Sequence, residues 1–229
     1  PGAPETRMAQ GAFAYLCEND WPKALAELRA AEAGLPNDDQ LKYLLAITHR
    51  RLGLMPEALG YLQRAVDLNP YEKRSGSSYI ETLFAMRRFA VLPALAPRFL
   101  ALLPGDGAVQ KFFVDAQFEL DGDRAAWLAK SAALAPLPAD LHGLDKAYGD
   151  ALRAGELVTA DRILSDPRQE WYPSTGGAIN VPASLLRAEL ARLRGDAAAA
   201  KKFAEAALTV LAARRWAPRQ EAVVRVARA

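Results

Sequence analysis

A repeat of 34 residues runs through the first part of the sequence and constrains its fold more than any other feature. Small, apolar and proline residues at fixed positions return one period later. The first set is Ala12, Trp21, Pro22, Ala24, Leu28, Ala31 and Pro36, and the second is Ala46, Met55, Pro56, Ala58, Leu62, Ala65 and Pro70. A further step of 34 residues leads from Pro70 to Pro104. A fixed period of this length predicts an array of stacked structural units.

Each repeated position has a physical role in a pair of antiparallel helices. Alanine at Ala12 and Ala24 lets two helix backbones approach closely, and Leu28 fills the contact further along. Pro22 suits the first turn of a helix, where its missing N–H would have had no partner, and Pro36 ends the second helix. Each unit is therefore predicted to be a helix, a turn and a second helix.

This pattern resembles the tetratricopeptide repeat (TPR) family, whose unit has small residues at its eighth and twentieth positions and proline at its thirty-second. In the first unit of this chain those residues are Ala12, Ala24 and Pro36. The resemblance covers three recognisable repeats, at 5–38, 39–72 and 73–106. It implies an all-α, right-handed superhelical solenoid of helix-turn-helix units.

Two departures from the family pattern carry structural predictions. Lys42 stands at the fourth position of the second repeat, where the family usually has a large residue. Pro93 and Pro97 both fall in the second helix of the third repeat. Because proline lacks an N–H and clashes with the preceding turn, that helix is predicted to start late or to be kinked at Pro97.

After Pro104 the repeat is recognisable mainly by glycines that suit turns between helices, at Gly122, Gly155 and Gly195. They predict divergent hairpins at 107–136 and 139–167, an inserted loop at 168–182, and a last hairpin plus the start of a further helix at 183–229. The expectation is a single solenoid of about six hairpins. The start at Pro1 and the end at Ala229, inside an apparent helix, suggest a fragment of a longer chain.

The inserted loop at 168–182 has no helical periodicity, and its prolines and glycines exclude a continuous helix. Its aromatic residues, Trp171 and Tyr172, have two interpretations. They can contact a partner, since inserted loops of repeat proteins often carry function, or they can fix a long connector to the helices beneath it.

Composition and motifs favour no catalytic, metal or cofactor site. The formal net charge is +2, and the chain has one cysteine, Cys17, and two histidines, His49 and His142, in different hairpins. Zinc needs convergent ligands at defined spacings, and no phosphate-binding loop or nucleophile motif occurs. No signal peptide or membrane-spanning run is found in the sequence, which favours a cytoplasmic location and leaves the periplasm open.

The family resemblance also implies a ligand-binding groove on the inner face of the first helix of each hairpin. We call these positions the predicted groove, and they are Thr6, Ala9, Phe13, Leu16, Cys17, Gln40, Tyr43, Ile47, Arg50, Arg51, Arg74, Ser77, Glu81 and Phe84. The aromatic and apolar residues could anchor a short amphipathic or acidic segment, with the arginines pairing with its carboxylates. The family's basic clamp for C-terminal carboxylates is absent. The alternative for each residue is packing against a neighbouring helix.

The predicted function is a non-enzymatic scaffold or adaptor module that binds another protein or a peptide. One alternative is a C-terminal sensor or oligomerisation segment of a bacterial signalling protein, such as a transcription regulator or nucleotide cyclase. Nucleic-acid binding is less favoured. From Pro182 to Ala229 there are ten Lys or Arg against four acids, with Trp216 following Arg214 and Arg215, but such charge usually marks a solvated helix face. A terminal hairpin could also stack on a second copy to form a homodimer.

Overall fold

Helices make up most of the part of the chain that the computed structural model describes, which is residues 2–134, 141–165, 169–173 and 180–213. Consecutive helices pair as hairpins. The α-helices are α1 (Pro4–Phe13), α2 (Trp21–Glu32), α3 (Asp39–Arg51), α4 (Met55–Leu68), α5 (Lys73–Ala85), α6 (Leu92–Leu102), α7 (Gly107–Asp121), α8 (Arg124–Ala132), α9 (Leu141–Ala154), α10 (Leu157–Ile163), α11 (Ala183–Leu193) and α12 (Ala197–Ala213). The all-α class predicted from the repeat is confirmed. The further helix predicted after α12 lies outside the described residues.

The chain divides into two compact units, Pro1–Ala135 and Pro136–Ala229. The first unit contains the four hairpins from α1 to α8. One apolar cluster joins the first two hairpins around Leu28, Leu41 and Leu45, and a second joins the next hairpins around Ile80 and Phe99. The second unit contains the hairpins α9–α10 and α11–α12, with its own cluster of buried residues.

The periodic positions lie where the two helices of a hairpin meet. Ala24, Leu28, Ala58 and Leu62 are completely buried, as expected from their spacing. The prolines act as helix boundaries too: α2, α4 and α6 each have proline in their first turn. Pro36, Pro70 and Pro104 follow the ends of the same helices.

The prediction that the second helix of the third repeat starts late is confirmed. One period after Met55 the helix would begin at Phe89, but Phe89–Val91 is a short 3₁₀ turn and α6 begins at Leu92. Pro93 has no N–H to donate to the Phe89 carbonyl, so the first α-helical hydrogen bond cannot form. Pro97 lies inside α6, where it likewise cannot bond to the carbonyl four residues earlier.

Every described hairpin turn contains one residue in the left-handed region. Glycine occupies it in four hairpins, at Gly53, Gly122, Gly155 and Gly195, which confirms the turn prediction from the glycines. Non-glycine residues occupy it in the other two, Asn19 with φ 54° and Arg87 with φ 55°. Asparagine adopts this conformation more readily than most residues. In a residue such as arginine the Cβ lies too close to the following carbonyl oxygen, which destabilises the turn.

The connector at 168–182 was predicted as a loop without regular structure, and this is corrected by two short strands in it that pair antiparallel. Strand β1 (Trp171–Pro173) pairs with β2 (Asn180–Pro182), and Tyr172 lies opposite Val181. Three residues per strand are too few for an alternating pattern to be recognised in the sequence. The strands do contain aromatic and β-branched residues, which favour extended structure.

Gly11 marks the closest approach of α1 to α2, a position that the sequence pattern did not single out. A Cβ at this glycine would lie 2.6 Å from Leu28 Cγ and 3.2 Å from the Ala24 carbonyl oxygen. Gly60, on α4, has no atom within 4 Å of the same point. The two glycines therefore differ in packing alone.

We expect Gly11→Ala to lower the free energy of unfolding by about 1–3 kcal/mol, because the new methyl group overpacks a rigid contact. Gly60→Ala should raise it by about 0.5–1 kcal/mol through helix propensity. Urea unfolding followed by circular dichroism measures both. Equal effects of the two substitutions would contradict the close approach at Gly11.

We expect Arg87→Gly to be more stable than Arg87→Ala by about 1 kcal/mol, because only glycine avoids the Cβ penalty at positive φ. The alanine variant is the matched control, since it also removes the cation–π contact of Arg87 with Phe89. Thermal unfolding of both variants tests the difference. A glycine variant no more stable than the alanine variant would show that the turn carries no strain.

Candidate functional site

The predicted groove is most open along α1 and the π-helical turn Ala14–Glu18 that continues it. Phe13 is 56% exposed and Leu16 is 68% exposed, and Thr6, Ala9 and Cys17 are exposed beside them. On the opposite side, Gly11 of α1 and Ala14 of the π-helical turn are buried against the protein. Two large apolar side chains are therefore exposed to solvent, while the opposite side of the helix packs against the protein.

On α3 the same positions are half covered. Tyr43 and Ile47 are half-buried because each packs against one of the two apolar clusters, Tyr43 with the second and Ile47 with the first. Gln40 remains exposed. Tyr43 and Ile47 therefore each pack one surface against the core and leave another surface open to solvent.

On α5 the groove residues Phe84 and Ser77 are engaged in contacts with other side chains of the protein. Phe84 is only 9% exposed, because its ring meets Phe89 edge-on at 5.0 Å and Phe112 at 5.3 Å between centroids. Ser77 donates a hydrogen bond to Asp106 at 3.1 Å. The exposure of the large apolar residues of the predicted groove thus falls from α1 through α3 to α5.

One period beyond Ser77 and Glu81, the equivalent positions on α7 are Lys111 and Asp115. Both are buried, and they form an ion pair within the helix. Trp127 on α8 donates its indole N–H to Asp115 at 2.8 Å, and the Lys111 ammonium lies over the Trp127 ring. This cluster was not predicted, although Lys and Asp four residues apart on one helix are a recognisable pairing signal.

The arginines of the predicted groove all have partners within the protein. Arg50 donates to Glu81 at 3.0 Å, joining α3 to α5, and Arg51 donates to the Tyr15 hydroxyl at 3.3 Å. Arg74 pairs with Glu72 at 3.0 Å, and its guanidinium lies 5.4 Å from the centre of the Tyr43 ring. These cations bridge neighbouring repeats.

Lys42, the departure from the family pattern in the second repeat, is buried and compensated by a carboxylate. Its ammonium donates to Glu32 Oε1 at 2.8 Å, and the Tyr61 hydroxyl donates to Glu32 Oε2 at 3.0 Å. Burial alone would raise the pKa of Glu32, but these hydrogen bonds and the charges of Lys42 and Arg64 together lower it. The cluster joins α2, α3 and α4.

His49 is also buried in the contact between α2, α3 and α4. It is completely buried on α3, and its ring stacks on Tyr61 with centroids 5.1 Å apart. Since a carbonyl only accepts and a guanidinium only donates, Nδ1 donates to the Leu45 carbonyl at 2.6 Å and Nε2 accepts from Arg29 at 3.3 Å. Both ring nitrogens are therefore occupied in packing the repeats.

In the second unit, Tyr172 is completely buried and its hydroxyl donates to the Ile163 carbonyl at 2.8 Å. Trp171 is half-buried on the same strand. Arg187 donates to the Leu164 carbonyl at 2.6 Å, and Arg194 pairs with Asp161 at 3.1 Å. Tyr172 thus fixes the connector to α10. The expected basic pair at 214–215 and Trp216 lie outside the described residues.

Among the residues that the structure describes, no group of three His, Cys, Asp or Glu could hold a metal ion. None of the helices within those ranges combines the length and the apolar character that crossing a membrane requires.

The Glu32 cluster predicts how stability depends on pH. Because its folded pKa lies below the ordinary value of 4.5, the contribution is complete above about that pH and is lost as the pH falls through the folded pKa. We expect Glu32→Gln to be less stable than the wild type at pH 7 and to lose less stability on acidification. Tyr61→Phe, which keeps the Lys42 pair, should be intermediate. Urea titrations at neutral and acidic pH measure this, and identical pH dependence in all three proteins would contradict it.

No protein-family model matches this sequence, and neither does any curated protein. Solved structures do match. The crystal structure of PilW, a widely conserved type IV pilus biogenesis factor, is 17% identical with a TM-score of 0.62, and the match covers 96% of this chain and 98% of that one. PilF of Pseudomonas aeruginosa is 18% identical with a TM-score of 0.53, covering 88% of each chain.

A thermophilic TPR protein of Thermus thermophilus is 20% identical with a TM-score of 0.53, and the match covers 71% of this chain and 89% of that one. At such identities the likeness is one of fold. Together with the repeat positions and the hairpins described above, it confirms the expectation from the sequence: this chain is an all-α, TPR-like repeat protein.

Proposed function

We propose that this chain is a non-enzymatic scaffold or adaptor module that binds another protein or a peptide on the predicted groove. The observation that carries the proposal is the exposure of two groove residues, Phe13 at the end of α1 and Leu16 in the π-helical turn that follows it. Adjacent large apolar side chains that face water are typical of interaction sites. In interfaces, aromatic anchors of this kind supply much of the binding energy.

The fold supports this proposal. Stacked helical repeats present extended surfaces on which partners bind, and each repeat can vary its exposed face without disturbing its packing. Arg50 and Glu81 of the predicted groove pair with each other between helices, and Arg51 and Arg74 bond to Tyr15 and Glu72 of the same chain. Such pairs are suited to joining repeats, whereas a catalytic acid or base has to reach a reacting group.

The alternative of a sensor segment from a transcription regulator or nucleotide cyclase gains no support from the structures reported above. Nucleic-acid binding is also not favoured, because Arg187 and Arg194, two described cations of the basic end, are engaged with the protein itself. The binding of a protein or peptide therefore remains the single function that we propose.

Site-specific crosslinking tests this function directly. A photoreactive phenylalanine analogue at position 13, in the full chain expressed in its native host, should give one discrete crosslinked product that mass spectrometry identifies. The matched control places the analogue at Val158, which is 80% exposed on α10 in the second unit. The same products from both positions, or no product from positions 13, 43 and 47, would contradict binding on the predicted groove.

A further inference from the structure

We infer that the segment bound by the predicted groove is an amphipathic α-helix with an uncharged apolar stripe, and that it contacts the first two hairpins. This inference rests on the proposed function and names the chemistry of its partner. It replaces the acidic ligand that the arginines in the sequence also allowed.

The first argument is that the arginines of the predicted groove are already bound by carboxylate and hydroxyl groups of the protein itself. Arg50 is largely buried and is held by Glu81 from the next repeat, and Arg51 is held by Tyr15 from the previous one. A carboxylate on a ligand would have to replace Glu81, so that one ion pair is exchanged for another and the desolvation cost of the new carboxylate is added. These arginines therefore favour no acidic partner.

The same holds at the start of α5. Arg74 is bound to Glu72, the residue that caps this helix, and stacks over Tyr43. Lys73 pairs with Asp106 at 3.3 Å. Each exposed cation here already has a carboxylate within ion-pair distance. The surface next to Tyr43 is consequently close to neutral.

The second argument is the spacing of the apolar side chains left open. Phe13 is the last residue of α1, Leu16 follows it in the π-helical turn Ala14–Glu18, and both are exposed. Tyr43 and Ile47 are four residues apart on α3. Tyr43 and Ile47 are one α-helical turn apart, and Phe13 and Leu16 are less than one turn of helix apart, so each of the first two hairpins presents a closely spaced pair of apolar anchors. A bound helix that repeats apolar residues at the same intervals places its stripe against them.

The third argument identifies the helices that the partner contacts. The equivalent positions on α5 and α7 are closed by the protein itself, through Phe84 among its aromatic neighbours and through the buried Lys111–Asp115 pair. Phe118, the residue of α7 one period beyond Phe84, is half-buried with its ring centroid 5.7 Å from that of Trp127. The partner therefore gains its apolar contacts from α1 and α3.

The test is a phage-displayed library of random peptides of roughly 15 residues, about four helical turns, selected on the immobilised full chain. Enriched peptides are synthesised, and their Kd is measured by fluorescence anisotropy at about 50 mM and about 500 mM NaCl. The variants are Phe13→Ser and Leu16→Ser, with Val158→Ser as the control that alters an equally exposed apolar residue elsewhere. Thermal unfolding checks that each variant is folded.

We expect enriched peptides with apolar residues at three- and four-residue intervals and no excess of acids. Their Kd should rise by about tenfold or more in Phe13→Ser or Leu16→Ser, stay unchanged in Val158→Ser, and change less than about twofold with salt. Acidic peptides whose affinity falls steeply with salt, and which Arg74→Gln weakens, would overturn the inference and leave the proposed function intact. Failure to enrich any peptide, or equal weakening by Val158→Ser, would overturn both.

Discussion

The close approach of the two helices within each hairpin is the constraint on which the rest of this structure depends. It requires small residues at the crossing, and the chain supplies them with Gly11 and Ala24 in the first hairpin and Ala58 in the second. Leucines such as Leu28 then fill the space beside the crossing. Because this requirement is the same in each unit, it recurs in the sequence at a fixed interval.

This constraint explains which parts of the structure were predictable. The buried seam and the helix boundaries follow from residues that every unit needs, so the spacing of alanine, proline and glycine was enough to predict them. The late start of α6 followed from Pro93 for an equally local reason. The short strands around Tyr172 were missed because three residues per strand give no period.

The candidate site was only partly predictable, for a physical reason. The groove positions could be assigned from the repeat, but their exposure depends on side chains from other helices. Phe84 is buried because Phe89 and Phe112 meet it, and Arg50 is neutralised because Glu81 lies on the next first helix. Phe112 and Glu81 are not among the periodic positions that define the repeat. Proximity of this kind appears only when the hairpins are stacked.

The buried charges show the same dependence on neighbours. A lysine at the position of Lys42 would be costly alone, since an unpaired ammonium loses its hydration on burial. Glu32 and Tyr61 come from the helices on either side and compensate it, while its aliphatic stem can pack as the usual large residue would. Lys111 and Asp115 solve the problem within α7, with Trp127 completing the cluster.

Together these features separate what the fold needs from what a partner can use. Proteins that share this architecture at 17–20% identity satisfy the same packing requirement with few residues in common. The exposed faces are free to differ, so the fold alone assigns no ligand. In this chain charged residues of the predicted groove, such as Arg50 and Glu81, form contacts that join repeats. The exposed apolar pair Phe13 and Leu16 has no such role. The chemistry of that pair, rather than the family resemblance, is therefore the basis of the apolar partner that we propose.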